Sequence, residues 1–369
     1  MSDLFITCSS GLEDLLLKEL QGMGISSARK GKSGVYASKD IRLVYKINYC
    51  SRIATRVLWP IANFPCPDKL ALYREIKQID WSRFLTLKKT FSIDSNVNHP
   101  NLRNSLFAAL VVKDAICDLF REKTGARPNV EVASPDVQLN LFINHGQATI
   151  SIDTSGAPLF KRGYRKQTIE APIQESIAAA ILQLSNYSSH EIFCDPFCGS
   201  GTFLIEAAMI ATLTPAGFFR KSWGFVNLPQ FTQSEWHTFR AQEDKQKIPL
   251  EKGRIFGIDV DPEAVKVSQA NLQAAGFDEA IVITRKDIRS YFPDLPPTLI
   301  VCNPPYGKRL KASLDVYQAL GKFLKTKCDP KNKAYILIPD QKLVQETNLP
   351  LKPILPLNNG GLEVGLYSI

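Results

Sequence analysis

The sequence predicts an α/β protein in two unequal halves, an α+β sandwich up to about residue 155 and a regular α/β sheet beyond it. Three observations carry that reading. Past residue 155 short apolar runs alternate with helical runs, the pattern of a parallel sheet flanked by helices. Two of those runs end on unusual segments: His190-Glu191-Ile192-Phe193-Cys194 leads into a glycine loop, and Leu299-Ile300-Val301 leads to Asn303-Pro304-Pro305-Tyr306. The first half instead spaces single strands between helices and closes on a hairpin.

In chain order, residues 3–8 read as a strand and 11–23 as a helix, with a further strand near 34–37 and helices over 41–58 and 69–76. A strand at 90–95, a helix at 104–124 and paired strands at 137–143 and 147–153 follow. Asn144-His145-Gly146 joins the pair, because these residues tolerate the backbone of a tight turn.

The glycine loop is Asp195-Pro196-Phe197-Cys198-Gly199-Ser200-Gly201-Thr202, with a helix from 203 onward. Gly199 and Gly201 would let backbone approach a ligand closely, as at nucleotide sites of doubly wound sheets. There is no Gly-Lys-Ser/Thr, and the spacing departs from the dinucleotide fingerprint. An acidic residue at the start of the loop suits a cation better than a phosphate. An insertion at 212–252 carrying Trp223 and Trp236 separates this unit from the next strand, 254–261. The end of that strand is where a ribose-binding carboxylate belongs, and Asp259 is the candidate; Asp261-Pro262-Glu263 reads as a helix start with Asp261 as the cap. A helix at 262–275 and a strand at 280–284 lead to Asp287, placed to bond an adenine amino group. The strand at 298–302, a helix at 315–327, a strand at 333–339 and a hairpin of 351–357 with 361–369 around Asn358-Asn359-Gly360 complete the sheet. Both unusual segments therefore fall at C-terminal ends of strands, where open α/β sheets bind ligands.

Asn303-Pro304-Pro305-Tyr306 says which atom is attacked. An amino group conjugated to a ring is a poor nucleophile, because its lone pair is delocalised. The side-chain oxygen of Asn303 and the carbonyl of Pro304 would accept its N–H bonds and draw the nitrogen toward sp³ character. Pro304 and Pro305 hold those acceptors, and Tyr306 would stack on the planar group. An ordinary turn closing a strand would also use Asn and Pro.

At 369 residues the chain has room for two or three domains, and a hydrophobic fraction of 44% supports real cores. No stretch is long and apolar enough to span a membrane, and Met1-Ser2-Asp3-Leu4 enters a strand without a basic, signal-type leader; the expected location is cytoplasmic. The formal charge is +9 with a pI near 9.0, which favours a polyanionic partner. Lys161-Arg162-Gly163-Tyr164-Arg165-Lys166 concentrates that charge, either as an RNA contact or as a solvated linker. The eight cysteines lack the paired spacing of a zinc site, so no metal is expected and all are read as reduced thiols.

Five segments together resemble the THUMP-containing class I methyltransferases: Leu159-Phe160-Lys161-Arg162-Gly163-Tyr164-Arg165, Ala171 to Ala179, Asp195 to Thr202, Gly257-Ile258-Asp259-Val260-Asp261 and Asn303 to Gly307. The resemblance covers nearly the whole chain. It implies a ferredoxin-like segment over 1–45, completed by residues near 150–160, a THUMP RNA-binding domain over 46–155, and a Rossmann-like methyltransferase domain with a seven-stranded, mostly parallel sheet over 160–369. It further implies S-adenosyl-L-methionine (SAM) as cofactor, held by Asp195, Phe197, Cys198, Gly199, Gly201, Thr202, Asp259 and Asp287, with Tyr164 and Arg165 bordering the pocket. Asn303, Pro304, Pro305 and Tyr306 would hold the target base. Within the family the similarity is to enzymes that methylate the exocyclic N2 of a guanine in 23S ribosomal RNA, with no membrane and no obligate protein partner. The long relatives carry a second methyltransferase domain, and the resemblance here is to the shorter members with a single activity. Transfer RNA guanine, DNA adenine N6, a protein glutamine, or a non-catalytic RNA-binding assembly role remain as alternatives.

Overall fold

The computed structural model describes residues 3–100, 102, 104–169, 172–305 and 310–369. The first half consists of β1 (Leu4–Thr7), α1 (Glu13–Gly22), β2 (Arg29–Gly31), β3 (Gly34–Ala37), α2 (Ile41–Cys50), β4 (Arg56–Pro65), α3 (Lys69–Lys77), β5 (Phe91–Asn98), α4 (Ser105–Thr124), β6 (Val137–Asn144) and β7 (Gln147–Asp153). Its strands form one seven-stranded sheet in the order β2-β3-β1-β4-β7-β6-β5, antiparallel except for β5 against β6. Asp40 and Asn104 cap α2 and α4 by accepting backbone N–H groups, and α4 ends on Gly125 in the left-handed region. The β6–β7 turn places His145 and Gly146 at positive φ, as a two-residue hairpin of this hand requires.

One expectation fails here. The helix predicted over 41–58 ends at Cys50, and a ten-residue strand, β4, begins at Arg56. β4 is the seam of the sheet: Leu58 pairs with Phe5 on one side and with Asp153 on the other. Two prolines conceal it in the sequence. Pro60 is accommodated because the ladder to β7 shifts register between Pro60 and Ala62, the place where a sheet tolerates a missing donor.

The second half consists of α5 (Glu175–Leu184), β8 (Phe193–Asp195), α6 (Thr202–Ala211), α7 (Gln233–Asp244), β9 (Ile255–Asp259), α8 (Pro262–Ala275), β10 (Val282–Arg285), β11 (Leu299–Cys302), α9 (Leu310–Thr326), β12 (Lys333–Ile338), α10 (Gln341–Glu346), β13 (Lys352–Asn359) and β14 (Leu362–Ser368). The sheet order is β10-β9-β8-β11-β12-β14-β13, with the first five strands parallel and β14 reversed. The order turns back on itself between β8 and β11, so a crevice opens at their C-terminal ends. All four residues of β11 are buried, as in a strand covered by helices on both faces. Gly360 and Gly361, both at positive φ, make the final turn, one residue later than expected.

The insertion turns back to the first half. Its Trp223, Phe225 and Trp236 pack around Tyr45 and Tyr49 of α2, with centroids 5.1 Å apart for Tyr45–Phe225 and 5.5 Å for Tyr49–Trp236. Arg220 donates to the carbonyls of Ser155, Ala157, Pro158 and Lys161, which gathers up the chain between the halves. Gly224 lies against β7 so closely that a Cβ there would stand 2.2 Å from the Asp153 carbonyl oxygen. One apolar core consequently runs from Leu4 in the first half to Leu366 in the second.

The basic segment is also not what its composition suggests. Arg162 is 1% exposed, forms an ion pair with Glu206 (3.3 Å), and donates to Leu159 O (2.9 Å) and Arg52 O (2.5 Å). Its charge is spent inside the junction, leaving Lys161 and Lys166 at the surface.

Candidate cofactor and substrate site

A cavity of about 760 Å³ opens at the C-terminal edge of β8, β9, β10 and β11, within the size range of small-ligand sites. Its wall brings together Asp195, Phe197, Cys198, Gly199, Thr202, Asp259, Asp287, Asn303, Pro304 and Pro305, from segments more than one hundred residues apart in sequence. Tyr306 and Gly307 lie outside the described residues, as does Ala171.

Asp195 ends β8 and is 1% exposed. Burial holds its carboxyl well above the usual range and Asp259 adds to this, against a single opposing N–H from Phe197 at 3.1 Å. Asp259 ends β9, and its carboxyl is likewise raised by burial. Its Oδ2 accepts the Gly199 N–H (2.9 Å) and its Oδ1 the Asp261 N–H (3.0 Å), so it ties the glycine loop to the next strand. Gly199 has φ +52, and a Cβ there would meet Ile169 Cδ1 at 2.9 Å. Asp261 caps α8 through the Glu263 N–H, as its sequence context predicts. Two carboxylates raised by burial, glycine backbone open to the cavity and a planar-acceptor strand end fit a cation-bearing nucleoside such as SAM.

Asp287 also reaches the wall, but Arg289 engages both its oxygens, at 2.9 and 2.5 Å, and holds its carboxyl below the usual range. Gly201 stands behind the wall; it caps α6 at φ +79, packed on Ser268. Tyr164 and Arg165, expected at the pocket border, are off it. Tyr164 is fully buried, with its hydroxyl on Glu206 Oε1 (3.1 Å) and its ring edge-on to Phe219. Arg165 acts from behind: Nη2 donates to Thr202 Oγ1 and to Ile173 O, both at 2.9 Å, and Nε lies 3.0 Å from Glu175. Thr202 and Ile173 are both wall residues, so Arg165 fixes their spacing without touching the cavity.

Asn303 follows β11, and its Oδ1 is buried without a hydrogen-bond partner among the described residues. A buried acceptor left unmade costs about 1–3 kcal/mol, so its place at a cavity wall marks it for a ligand's N–H. Burial pushes the Cys198 and Cys302 thiols well above the ordinary range, which disfavours the thiolate a nucleophile needs.

Sequence reading misses Asn271. Fully buried on α8, it accepts the Lys166 N–H (2.8 Å) and Gln167 N–H (3.2 Å), and donates to Gln167 O (3.1 Å) and Ser200 O (3.0 Å). It thus clamps the segment leading to Ile169 against the glycine loop. An asparagine in mid-helix carries no signal of such a role, except that it falls, with Ser268, among the apolar residues of the buried face of α8.

The strand order, the reversed β14 and the position of the cavity give a doubly wound sheet with a ligand crevice, and the family matches make it a SAM-dependent methyltransferase. A family model described as the RMKL-like methyltransferase domain matches residues 162–348, and this chain belongs to that family. Models of the THUMP domain and of the RlmL ferredoxin-like domain match residues 68–153 and 3–58, which makes RNA the partner class. Among solved structures, SMU.472, described as a methyltransferase and complexed with S-adenosylhomocysteine, is 28% identical with a TM-score of 0.87, covering 100% of this chain and 97% of that one. A methylase from Clostridium difficile 630 is 27% identical with a TM-score of 0.86, covering 100% and 97%. A chain from Listeria monocytogenes, described as an N6-adenine-specific DNA methylase, is 26% identical with a TM-score of 0.84, covering 99% and 96%. TrmN from Thermus thermophilus, 18% identical with a TM-score of 0.72 over 100% and 99% of the two chains, shares the fold.

Proposed function

We propose that the protein methylates the exocyclic N2 of a guanine in 23S ribosomal RNA. The observation that carries the choice of an amino group is the buried Oδ1 of Asn303 at the cavity wall, without a hydrogen-bond partner among the described residues. The RlmL-type ferredoxin-like and THUMP domains favour RNA over DNA or protein. The guanine and the large subunit rest on the resemblance of the assembled motifs.

Asp195, Gly199 and Asp259 would hold SAM, with Asp287 assigned to its adenine, and the cofactor would supply a methyl carbon made electrophilic by the adjacent sulfonium. The residues of this chain do the rest. Asn303 Oδ1 and the Pro304 carbonyl accept the two N–H bonds of the target amino group, localising its lone pair for attack. Pro304 and Pro305 restrict the backbone so that these acceptors stay aimed. The base must leave its stack to reach them, and Tyr306 is assigned to stack on it. The proton departs after transfer, so no general base is assigned.

Two measurements test this. Nucleoside mass spectrometry of ribosomal and transfer RNA from a deletion strain should show an N2-methylguanine missing from large-subunit RNA alone; its loss from transfer RNA instead would redirect the substrate. Asn303→Ala should lower kcat on the order of 100-fold while leaving SAM affinity unchanged. Unchanged turnover would remove Asn303 from the base pocket.

A further inference from the structure

We infer that the catalytic half carries its own RNA-backbone site, a basic extension of the active cavity formed by the start of the loop after β10 and the C-terminal half of α9. A second cavity, of about 370 Å³, shares Ile288, Arg289 and Ala319 with the active cavity, so the two are continuous. Three cations line it: Arg289, Lys322 and Lys327. Asp315, the carboxylate in its lining, faces Arg289 and supports that residue's charge. Arg289 is already paired with Asp287, whereas Lys322 is exposed and has no ion pair among the described residues. Lys327 donates to Arg289 O at 3.0 Å and lies 4.0 Å from the centroid of Phe292. Phe292 is 74% exposed.

An exposed phenylalanine topped by a lysine, beside a groove with more positive than negative charge, has the chemistry of a single-strand nucleic-acid contact. The ring offers a face to a base, and the lysines neutralise phosphates. The extension joins the active cavity at Ile288, Arg289 and Ala319, on the Asp287 side and away from Asn303, so it would take RNA flanking the extruded nucleotide and not the target base itself. The basic segment at 161–166 cannot serve in this way through Arg162, which is buried in the junction. The inference rests on RNA being the substrate and is independent of which base is methylated.

The test is binding, not turnover. Large-subunit RNA from a deletion strain is titrated with wild type, Lys322→Gln/Lys327→Gln and Phe292→Ala over a salt series, with S-adenosylhomocysteine binding measured in parallel. For the double variant we expect roughly tenfold weaker RNA affinity and a log–log salt slope shallower by about 1.4, two single-strand phosphate contacts at about 0.7 each. For Phe292→Ala we expect weaker affinity at an unchanged slope. Lys322→Glu, on an exposed position with no ion pair among the described residues, repeats the test without removing the Lys327 contacts to Arg289 and Phe292. An unchanged RNA affinity and slope in all three would overturn the inference and leave the proposed reaction standing. A loss of S-adenosylhomocysteine affinity without a loss of RNA affinity would overturn it too, assigning the extension to the cofactor. If nucleoside mapping fails while these variants still lose RNA, the reaction is wrong and the surface stands.

Discussion

Asp195 and Asp259 face one cavity, both with carboxyls raised by burial, and in their proposed role as SAM ligands their titration would be tied to binding. A cationic ligand favours the ionised form, so binding draws protons off. SAM affinity should therefore fall as the pH is lowered from neutrality, and calorimetry in buffers of different ionisation heat should record net proton release; pH-independent affinity would contradict the assignment. The ligand-free protein should behave in the opposite sense. Its folded state keeps protons that the unfolded chain would release, so these two groups contribute less stability as pH rises from the unfolded carboxyl value through their folded values. At this scale the sequence was informative wherever a residue sits at a strand end. Asp195, Asp259, Asp287 and Asn303 could be placed because the end of a parallel strand is a fixed address. Tyr164 and Arg165 could not, because a cation beside an aromatic looks alike on a surface, on a pocket rim or inside a junction.

Among the elements, the insertion between α6 and β9 does most to shape the molecule, and its role was invisible in the sequence. Its aromatics could be counted, but their partners Tyr45 and Tyr49 lie far back in the first half. β4 was lost for a similar reason: prolines argue against a strand unless a bulge receives them, and a bulge exists only in the paired sheet. The insertion's hold on the linker can be weighed. Arg220→Ala removes the donor from four carbonyls, and unfolding should become easier by at least about 3 kcal/mol. Lys221→Ala, next door and exposed, should change stability by less than about 0.5 kcal/mol. Equal effects in denaturant titrations would mean that Arg220 is not what fastens the junction.

For the molecule as a whole, one apolar core links both sheets, and charged side chains cross between the halves: half-buried Arg52 donates to Met209 O and Thr214 O, while buried Arg162 pairs with Glu206 and reaches Arg52 O. Heating should thus give a single calorimetric transition, and either half alone should expose the Tyr45–Trp236 contact and aggregate; two separable transitions would show that the halves fold independently. The same junction has a geometric meaning. With Gly224 pressed on β7 and Arg220 bound to successive linker carbonyls, the first sheet and the crevice of the second stand at a set span. On the proposed reaction the protein would work as a calliper, with one jaw on folded RNA and the other at the target base, so that the target would be chosen by its distance along the RNA from the place of grip as much as by its identity.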